Sequence, residues 1–104
     1  MKKTFKNLIA VFGMTILVVS CTKTPEACFT TDKGKTAKVN EEIQYDANCS
    51  KDADSYSWDF GDGATGTGSP TKHKYSNTGN YVVKLTASHK SKSTTINQTI
   101  TITL

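Results

Sequence analysis

The sequence contains no arginine, and its net positive charge is small. All 13 of its basic residues are lysines, against nine acidic residues, for a net charge of +4. Removing the first 20 residues would take away three lysines and no acid, leaving a net charge of +1. A nucleic-acid-binding surface needs a dense basic patch, in which arginine commonly makes the base contacts. We therefore expect no nucleic-acid partner.

Residues that carry common catalytic and metal chemistry are also scarce. There are two histidines, too few for a zinc site, and the sequence has neither a G-x-S-x-G motif nor a Cys/His pair for nucleophilic catalysis. We expect His73 to be a structural strand residue and His89 an exposed turn residue. Enzymatic activity is not expected.

The N-terminus has the pattern of an export signal. Lys2, Lys3 and Lys6 form a basic head, and residues 8–19 are an uncharged, mostly apolar run of twelve. Such a run is too short to span a bilayer and is typical of a secretory signal peptide. We predict a signal peptide at 1–20, a short tether at 21–26 and one domain at 27–104.

The stretch "LVVSC" resembles a bacterial lipobox, with Val18 where leucine is most common. The resemblance implies that Cys21 is acylated, which would anchor the protein in an envelope membrane. Ordinary cleavage, with Cys21 left as a free thiol, is the alternative. The residue after Cys21 is Thr22 and not the aspartate that favours inner-membrane retention in some bacteria. The outer membrane is therefore favoured over the inner.

Three cysteines would leave one thiol unpaired in an exported protein. If Cys21 carries lipid, Cys28 and Cys49 remain as one pair that an oxidising compartment allows to bridge. A domain of this size has a marginal core, so a cross-link would matter.

Alternation with period two predicts an all-β domain, and no window has a clear helical period. Apolar residues alternate with polar ones through segments such as 43–49, 56–60, 81–87 and 96–104, and turn-forming residues separate these segments. We predict about seven antiparallel strands in an immunoglobulin-like two-sheet sandwich, near 27–31, 35–39, 41–48, 54–60, 71–75, 80–88 and 94–104.

Several ordered motifs resemble the polycystic-kidney-disease (PKD) domain over residues 27–104. "WDFGDG" resembles its W-x-F-G-D-G signature, and a P…H-x-Y step and a G-x-Y-x-V-x-L strand follow in order. The last hairpin, "SHKSKS", lacks the glycine usual there. Cys49 stands where the family commonly has serine, which suggests a bridge to Cys28. The signature residues are Trp58, Phe60, Gly61, Asp62, Gly63, His73, Tyr75, Gly79 and Tyr81.

This resemblance implies an interaction or spacer module on a cell surface or in a secreted enzyme. We expect a non-catalytic lipoprotein that contacts an envelope protein or polysaccharide. The alternatives are a structural spacer or accessory subunit, and, in a different class, a minimal hydrolase or calcium-dependent enzyme.

The acids of the signature do not favour catalysis. Asp59 alternates with Trp58 and Phe60, so it should face solvent if these aromatics face the core. Asp62 lies between two glycines, where its carboxylate can accept backbone N–H bonds and hold a turn.

Two further sets of residues remain open from the sequence. Asp52 and Asp54 offer oxygen ligands for calcium, but the spacing is not that of an EF-hand and Lys51 adds a positive charge, so no cofactor is the main expectation. Phe29 is a candidate exposed contact if its neighbour Cys28 points inward, although a bulge would bury it. The other strand aromatics are expected in the core, and Tyr81 could bond the backbone as a tyrosine-corner residue.

Overall fold

The computed structural model describes residues 23–104, so the predicted signal peptide and Cys21 lie outside the described residues. The described part forms eight β-strands: β1 (Thr30–Thr31), β2 (Thr36–Lys38), β3 (Ile43–Asp46), β4 (Ser55–Asp59), β5 (Thr65–Thr67), β6 (Thr71–His73), β7 (Gly79–His89) and β8 (Lys92–Thr103). Within 23–104, no helix has the length and apolar character needed to cross a membrane.

The strands form two sheets packed as a sandwich, which confirms the predicted fold class. The small sheet has the order β1-β3-β6, and the large sheet has the order β2-β8-β7-β4-β5. The β2–β8 pair is parallel, and the other pairs are antiparallel. The long β7–β8 hairpin is the spine of the large sheet and pairs without a break from Gly79 opposite Ile102 to His89 opposite Lys92.

The core lies between the sheets and consists largely of the inward residues that the alternation identified, joined by Phe29. Ile43 and Tyr45 of the small sheet meet Trp58, Val83 and Leu85 of the large sheet, and all five are buried. Aromatic rings dominate this core, and the Tyr45 and Trp58 ring centroids lie 5.5 Å apart. Tyr56 and Tyr81, also expected inside, are only partly buried and pack against the margin of the core.

The structure has one strand more than predicted, because β5 lies within residues 61–70, where the glycines and the proline predict a turn. Gly66 in this strand pairs with Trp58, and a Cβ placed on it would lie 3.2 Å from the Phe60 ring. A glycine inside a strand commonly marks such a close approach. Gly66 is therefore a packing residue and not a turn former.

Ordered contacts begin slightly before the predicted domain boundary. Pro25 is buried, and Glu26 exchanges two backbone hydrogen bonds with Lys51, of 2.9 and 3.0 Å. Cys28 and Cys49 form a disulfide with a Cα–Cα distance of 5.3 Å, as predicted. These contacts join the N-terminal end of the domain to the loop between β3 and β4.

The last hairpin turns without a glycine. Lys90 and Ser91 connect β7 to β8, and Lys90 adopts the left-handed conformation with φ of +55°. A lysine thus takes the conformation that glycine adopts at no steric cost. The missing glycine leaves the hairpin register intact.

Candidate functional site

The signature residues form a structural network at one end of the sandwich. Trp58 is buried, and its indole N–H donates to the Gly68 carbonyl oxygen at 2.7 Å. Its ring stacks parallel to that of Phe60, with centroids 6.2 Å apart. The aromatic rings of Trp58 and Phe60 therefore lie in the core, and the Trp58 indole nitrogen contacts the loop that follows β5.

The two acids of the signature hold turns. Asp59 Oδ1 accepts the Gly61 N–H at 3.0 Å, and Asp62 Oδ1 accepts the Ala64 N–H at 3.1 Å. Each carboxylate therefore bonds a backbone group two residues further along, as Asx turns do. Asp59 is solvent-exposed, as its alternation with Trp58 indicated. The predicted turn role of Asp62 is confirmed.

His73 joins this network through Asp62, a contact that sequence reasoning missed. Its Nε2 lies 2.8 Å from Asp62 Oδ2, and its ring stacks on Phe60 with centroids 4.2 Å apart. Burial opposes ionisation of Asp62, but hydrogen bonds from His73 and from the Ala64 N–H outweigh it and lower the pKa of this carboxyl. His73 lies on strand β6 and Asp62 in the signature turn, and the two residues are eleven apart in sequence.

Three tyrosines extend the network inward. The Tyr75 hydroxyl donates to the Phe60 carbonyl oxygen at 2.8 Å and lies 3.1 Å from the Tyr45 hydroxyl. Burial raises the pKa of both Tyr45 and Tyr75, so both stay neutral. The Tyr81 hydroxyl donates to the Asn77 carbonyl oxygen at 2.8 Å, which is the predicted tyrosine corner.

The calcium candidates lie apart from this network. Asp52 adopts φ of +56° in the β3–β4 loop, and Asp54 Oδ2 lies 3.0 Å from His89 Nδ1. Within residues 23–104, no group of three or more His, Cys, Asp or Glu side chains comes together as a metal cluster. Calcium binding at Asp52 and Asp54 stays the alternative to the main expectation of no cofactor.

Phe29 is not an exposed contact. It is only 2% exposed, and its ring packs edge-on against Trp58 at 5.1 Å. The expectation of exposure assumed an inward Cys28, whereas Cys49 lies in an exposed turn and the disulfide is peripheral. Phe29 therefore takes the inward position next to Cys28.

The outer face of the large sheet carries a groove lined mostly by residues with hydroxyl, carboxylate or ammonium groups, which we call the polar groove. Two adjoining depressions, of about 400 and 570 Å³, share Ser57 and Thr67 and follow β4 from Asp59 to Asp54. Lys84 lies opposite Asp59 in the register, and Thr86 lies opposite Ser57. The residues that line the groove are Asp54, Ser55, Tyr56, Ser57, Trp58, Asp59, Thr65, Gly66, Thr67, Gly68, Ser69, Lys84, Thr86 and Ser88.

This groove can donate and accept many hydrogen bonds, but it does not include the Asp62–His73 pair. Serine and threonine hydroxyls do both, Asp59 accepts, and Lys84 donates. Such a surface suits a ligand rich in hydroxyl groups. The sequence indicated these side chains as the polar residues that alternate with apolar ones along the strands. The groove is the strongest candidate for a functional site.

Known proteins with similar sequences and structures agree with this architecture. The family model described as "PKD domain" matches residues 22–104. The chain is 43% identical over 72 residues to "Collagenase ColA" of Clostridium perfringens (strain 13 / Type A), which covers 65% of this chain and 6% of the collagenase. A collagenase of the same name from Bacillus cereus is 44% identical over 52 residues, covering 46% of this chain and 5% of that protein.

Two solved structures extend the similarity to the fold. One is described as "Structural basis for the promiscuous specificity of the carbohydrate-binding modules from the beta-sandwich super family", with a TM-score of 0.74, 34% identity, and coverage of 79% of this chain and 35% of that chain. The other is the PKD1 domain of the Vibrio cholerae metalloprotease PrtV, with a TM-score of 0.65, 31% identity, and coverage of 79% and 100%.

Proposed function

This chain belongs to the PKD domain family, and from that premise we propose that it is a non-catalytic binding module for a polysaccharide of the bacterial envelope. The observation that carries the proposal is the polar groove along β4 on the outer face of the large sheet. The solved carbohydrate-binding modules named above support it, although this chain covers 35% of that structure. The collagenases are far longer than this chain, which spans 6% and 5% of them.

The groove has the length and chemistry to hold an extended glycan. The segment from Asp54 to Asp59 extends about 17 Å at roughly 3.3 Å per residue. Sugar hydroxyls would bond to Ser57, Thr67 and Thr86, while Lys84 and Asp59 would supply charge-assisted hydrogen bonds. A polar surface of this kind gives modest affinity, because each bond replaces one to water.

We expect Lys84→Ala to weaken binding of envelope oligosaccharides about tenfold, since a hydrogen bond from a charged donor contributes about 1.5 kcal/mol or more. Titration of the protein with oligosaccharides, followed by NMR shifts of the β4 and β7 amides, measures this. Lys72→Ala is the control, because Lys72 is also an exposed lysine in a strand but lies on the small sheet. Equal weakening by both variants, or no binding to any envelope glycan, would contradict the proposal and favour a spacer.

We also propose that acylated Cys21 anchors the module in the bacterial envelope, at the outer membrane rather than the inner. The support is the lipobox resemblance of "LVVSC" and the basic, apolar segment before it. Acyl chains hold a protein at a bilayer through about 0.8 kcal/mol for each buried CH₂ group. Residues 22–24 alone would then separate the acylated Cys21 from Pro25, which is buried in the sandwich.

The Cys21→Ser protein is expected to leave the membrane fraction and to lose incorporation of labelled fatty acid. Fractionation and metabolic labelling measure the two effects independently. Cys28→Ser is the control, because it removes a cysteine within the domain; this variant should keep both the label and the membrane location. A Cys21→Ser protein that stays entirely with the membranes would refute lipid anchoring at this residue.

A further inference from the structure

One side of strand β8 is open over most of its length. Strand β7 pairs with β8 from Lys92 to Ile102, but on the other side β2 pairs only with Thr101–Thr103. In the described part of the chain, no further strand joins β8 on that side. The segment before β1 reaches this side at one point, where Gln98 Nε2 donates to the Phe29 carbonyl oxygen at 2.8 Å. Among residues 23–104, no backbone group pairs with the open side of β8 before Thr101.

The hairpin register identifies which backbone groups point to the open side. The two-residue turn makes His89 and Lys92 the pair that closes the hairpin, and hydrogen-bonded pairs then recur at every second residue. Thr94, Ile96 and Gln98 direct their N–H and C=O groups to β7. The residues between them direct theirs to the open edge: Ser93, Thr95, Asn97 and Thr99. Thr101 continues this phase, and its N–H does bond outward, to Lys35 O at 2.8 Å.

This edge lacks the usual protection against strand pairing. Natural edge strands are shortened or carry charged residues, proline or bulges that block a second chain. The segment 93–99, "STTINQT", has no charge and no proline. Its register with β7 continues without a bulge. Seven residues of uncharged edge without a bulge form a template for an added strand.

The surroundings of the edge indicate the chemistry of such a strand. Lys90 and Lys92 lie at one end, and Lys35 lies at the other, beside Thr101. A depression of about 360 Å³, lined by Phe29, Thr30, Thr31, Gly34, Lys35 and Gln98, adjoins the Gln98 end. A strand laid along the edge would direct alternate side chains toward this depression.

We propose that the open edge of β8 at 93–99 binds an extended segment of a partner protein by β-strand addition. The segment has an uncharged, β-branched centre and acidic residues at its ends, which complement Lys35 and Lys92. A second copy of this chain fits poorly, because antiparallel pairing about Ile96 would place Lys92 of each copy opposite Ile100, next to the other copy's Lys35. This site is distinct from the polar groove and does not depend on glycan binding.

Amide hydrogen exchange of the Cys21→Ser chain, followed by NMR, tests the proposal. The probe is a blocked peptide of alternating valine and threonine with glutamate at both ends, used where it is monomeric. Binding should slow exchange of the Ser93, Thr95, Asn97 and Thr99 amides about tenfold or more, since each gains a hydrogen bond. The amides of Thr94, Ile96 and Gln98, already bonded to β7, should change little.

Two variants at one position separate backbone pairing from side-chain contact. Asn97→Pro removes an N–H that faces the open edge and leaves the β7 ladder intact, so peptide binding should weaken about tenfold or more. Asn97→Ala keeps that N–H and should bind like the parent. The same peptide with lysine ends should bind about tenfold more weakly. Trp58 fluorescence checks that the variants are folded.

Several results would overturn the proposal. These are no protection of the four amides at about 1 mM peptide, shifts confined to the polar groove, or equal binding by the two Asn97 variants. Protection that rises with protein concentration without peptide would assign the edge to a second copy instead. If Asn97→Pro does not fold, a peptide with N-methyl groups on its pairing side replaces it, and undiminished binding of that peptide refutes strand addition.

Discussion

Gly61→Ala is expected to lower the free energy of unfolding by about 3 kcal/mol, which combines the penalty for a left-handed side-chain residue with overpacking. Gly61 has φ of +86°, and a Cβ on it would lie 2.6 Å from the Val82 carbonyl oxygen of β7. The atom that the added Cβ would meet belongs to the backbone, so a change of side-chain rotamer cannot relieve the clash. The midpoint temperature of thermal unfolding should fall by more than about 10 °C for a domain of this size.

Gly63→Ala is the matched control for this clash. Gly63 has a similar φ of +94°, but a Cβ on it would meet nothing within 4 Å. The control therefore carries the conformational penalty alone, about 1 to 2 kcal/mol. Chemical denaturation of both variants separates the two effects. If Gly61→Ala costs no more than Gly63→Ala, the close approach of the signature turn to β7 is not the reason for the glycine.

Removal of the disulfide is expected to cost about 3 kcal/mol, because the bond restricts the unfolded chain over a loop of this length. Cys28 and Cys49 are 21 residues apart, and they connect the N-terminal end of the domain to the loop after β3. The Cys28→Ser/Cys49→Ser protein should therefore unfold at lower denaturant concentration than the oxidised parent. Comparison of the two in urea, in a Cys21→Ser background, gives the difference.

Ser50→Ala provides the local control for the cross-link. The Ser50 hydroxyl accepts the Cys28 N–H at 2.9 Å and donates to the Cys28 carbonyl oxygen at 2.7 Å. Its loss should cost about 1 to 2 kcal/mol while the disulfide remains. Reductant should then destabilise the parent and Ser50→Ala, but not the double serine variant. An unchanged parent under full reduction would show that the bond contributes nothing to stability.

Alternation along the chain predicted the fold and much of the core correctly, because the sandwich buries one face of each strand. Tyr45, Trp58, Leu85 and Ile102 are buried as this pattern requires. The pattern failed where a strand ended. Cys49 continues the phase of Ile43 in sequence, yet β3 stops at Asp46 and Cys49 lies exposed in a turn.

The candidate sites were less predictable, because they depend on contacts between distant segments. The Asp62–His73 contact needs β6 to lie beside the signature turn, and no local spacing encodes that. The polar groove exists because β5 pairs with β4, and the glycines around β5 concealed this strand. The individual outward residues were identifiable, but their assembly across three strands required the sheet order.

The disulfide also determines how the domain would respond to mechanical load at its N-terminal end. Strand β1 has only two paired residues, and a pull through Pro25 would otherwise peel it from β3. Before β1 is reached, however, the load meets two backbone hydrogen bonds between Glu26 and Lys51, and then the Cys28–Cys49 bond. Tension therefore passes through a covalent bond into the loop before β4 and by-passes the weakest strand of the sandwich.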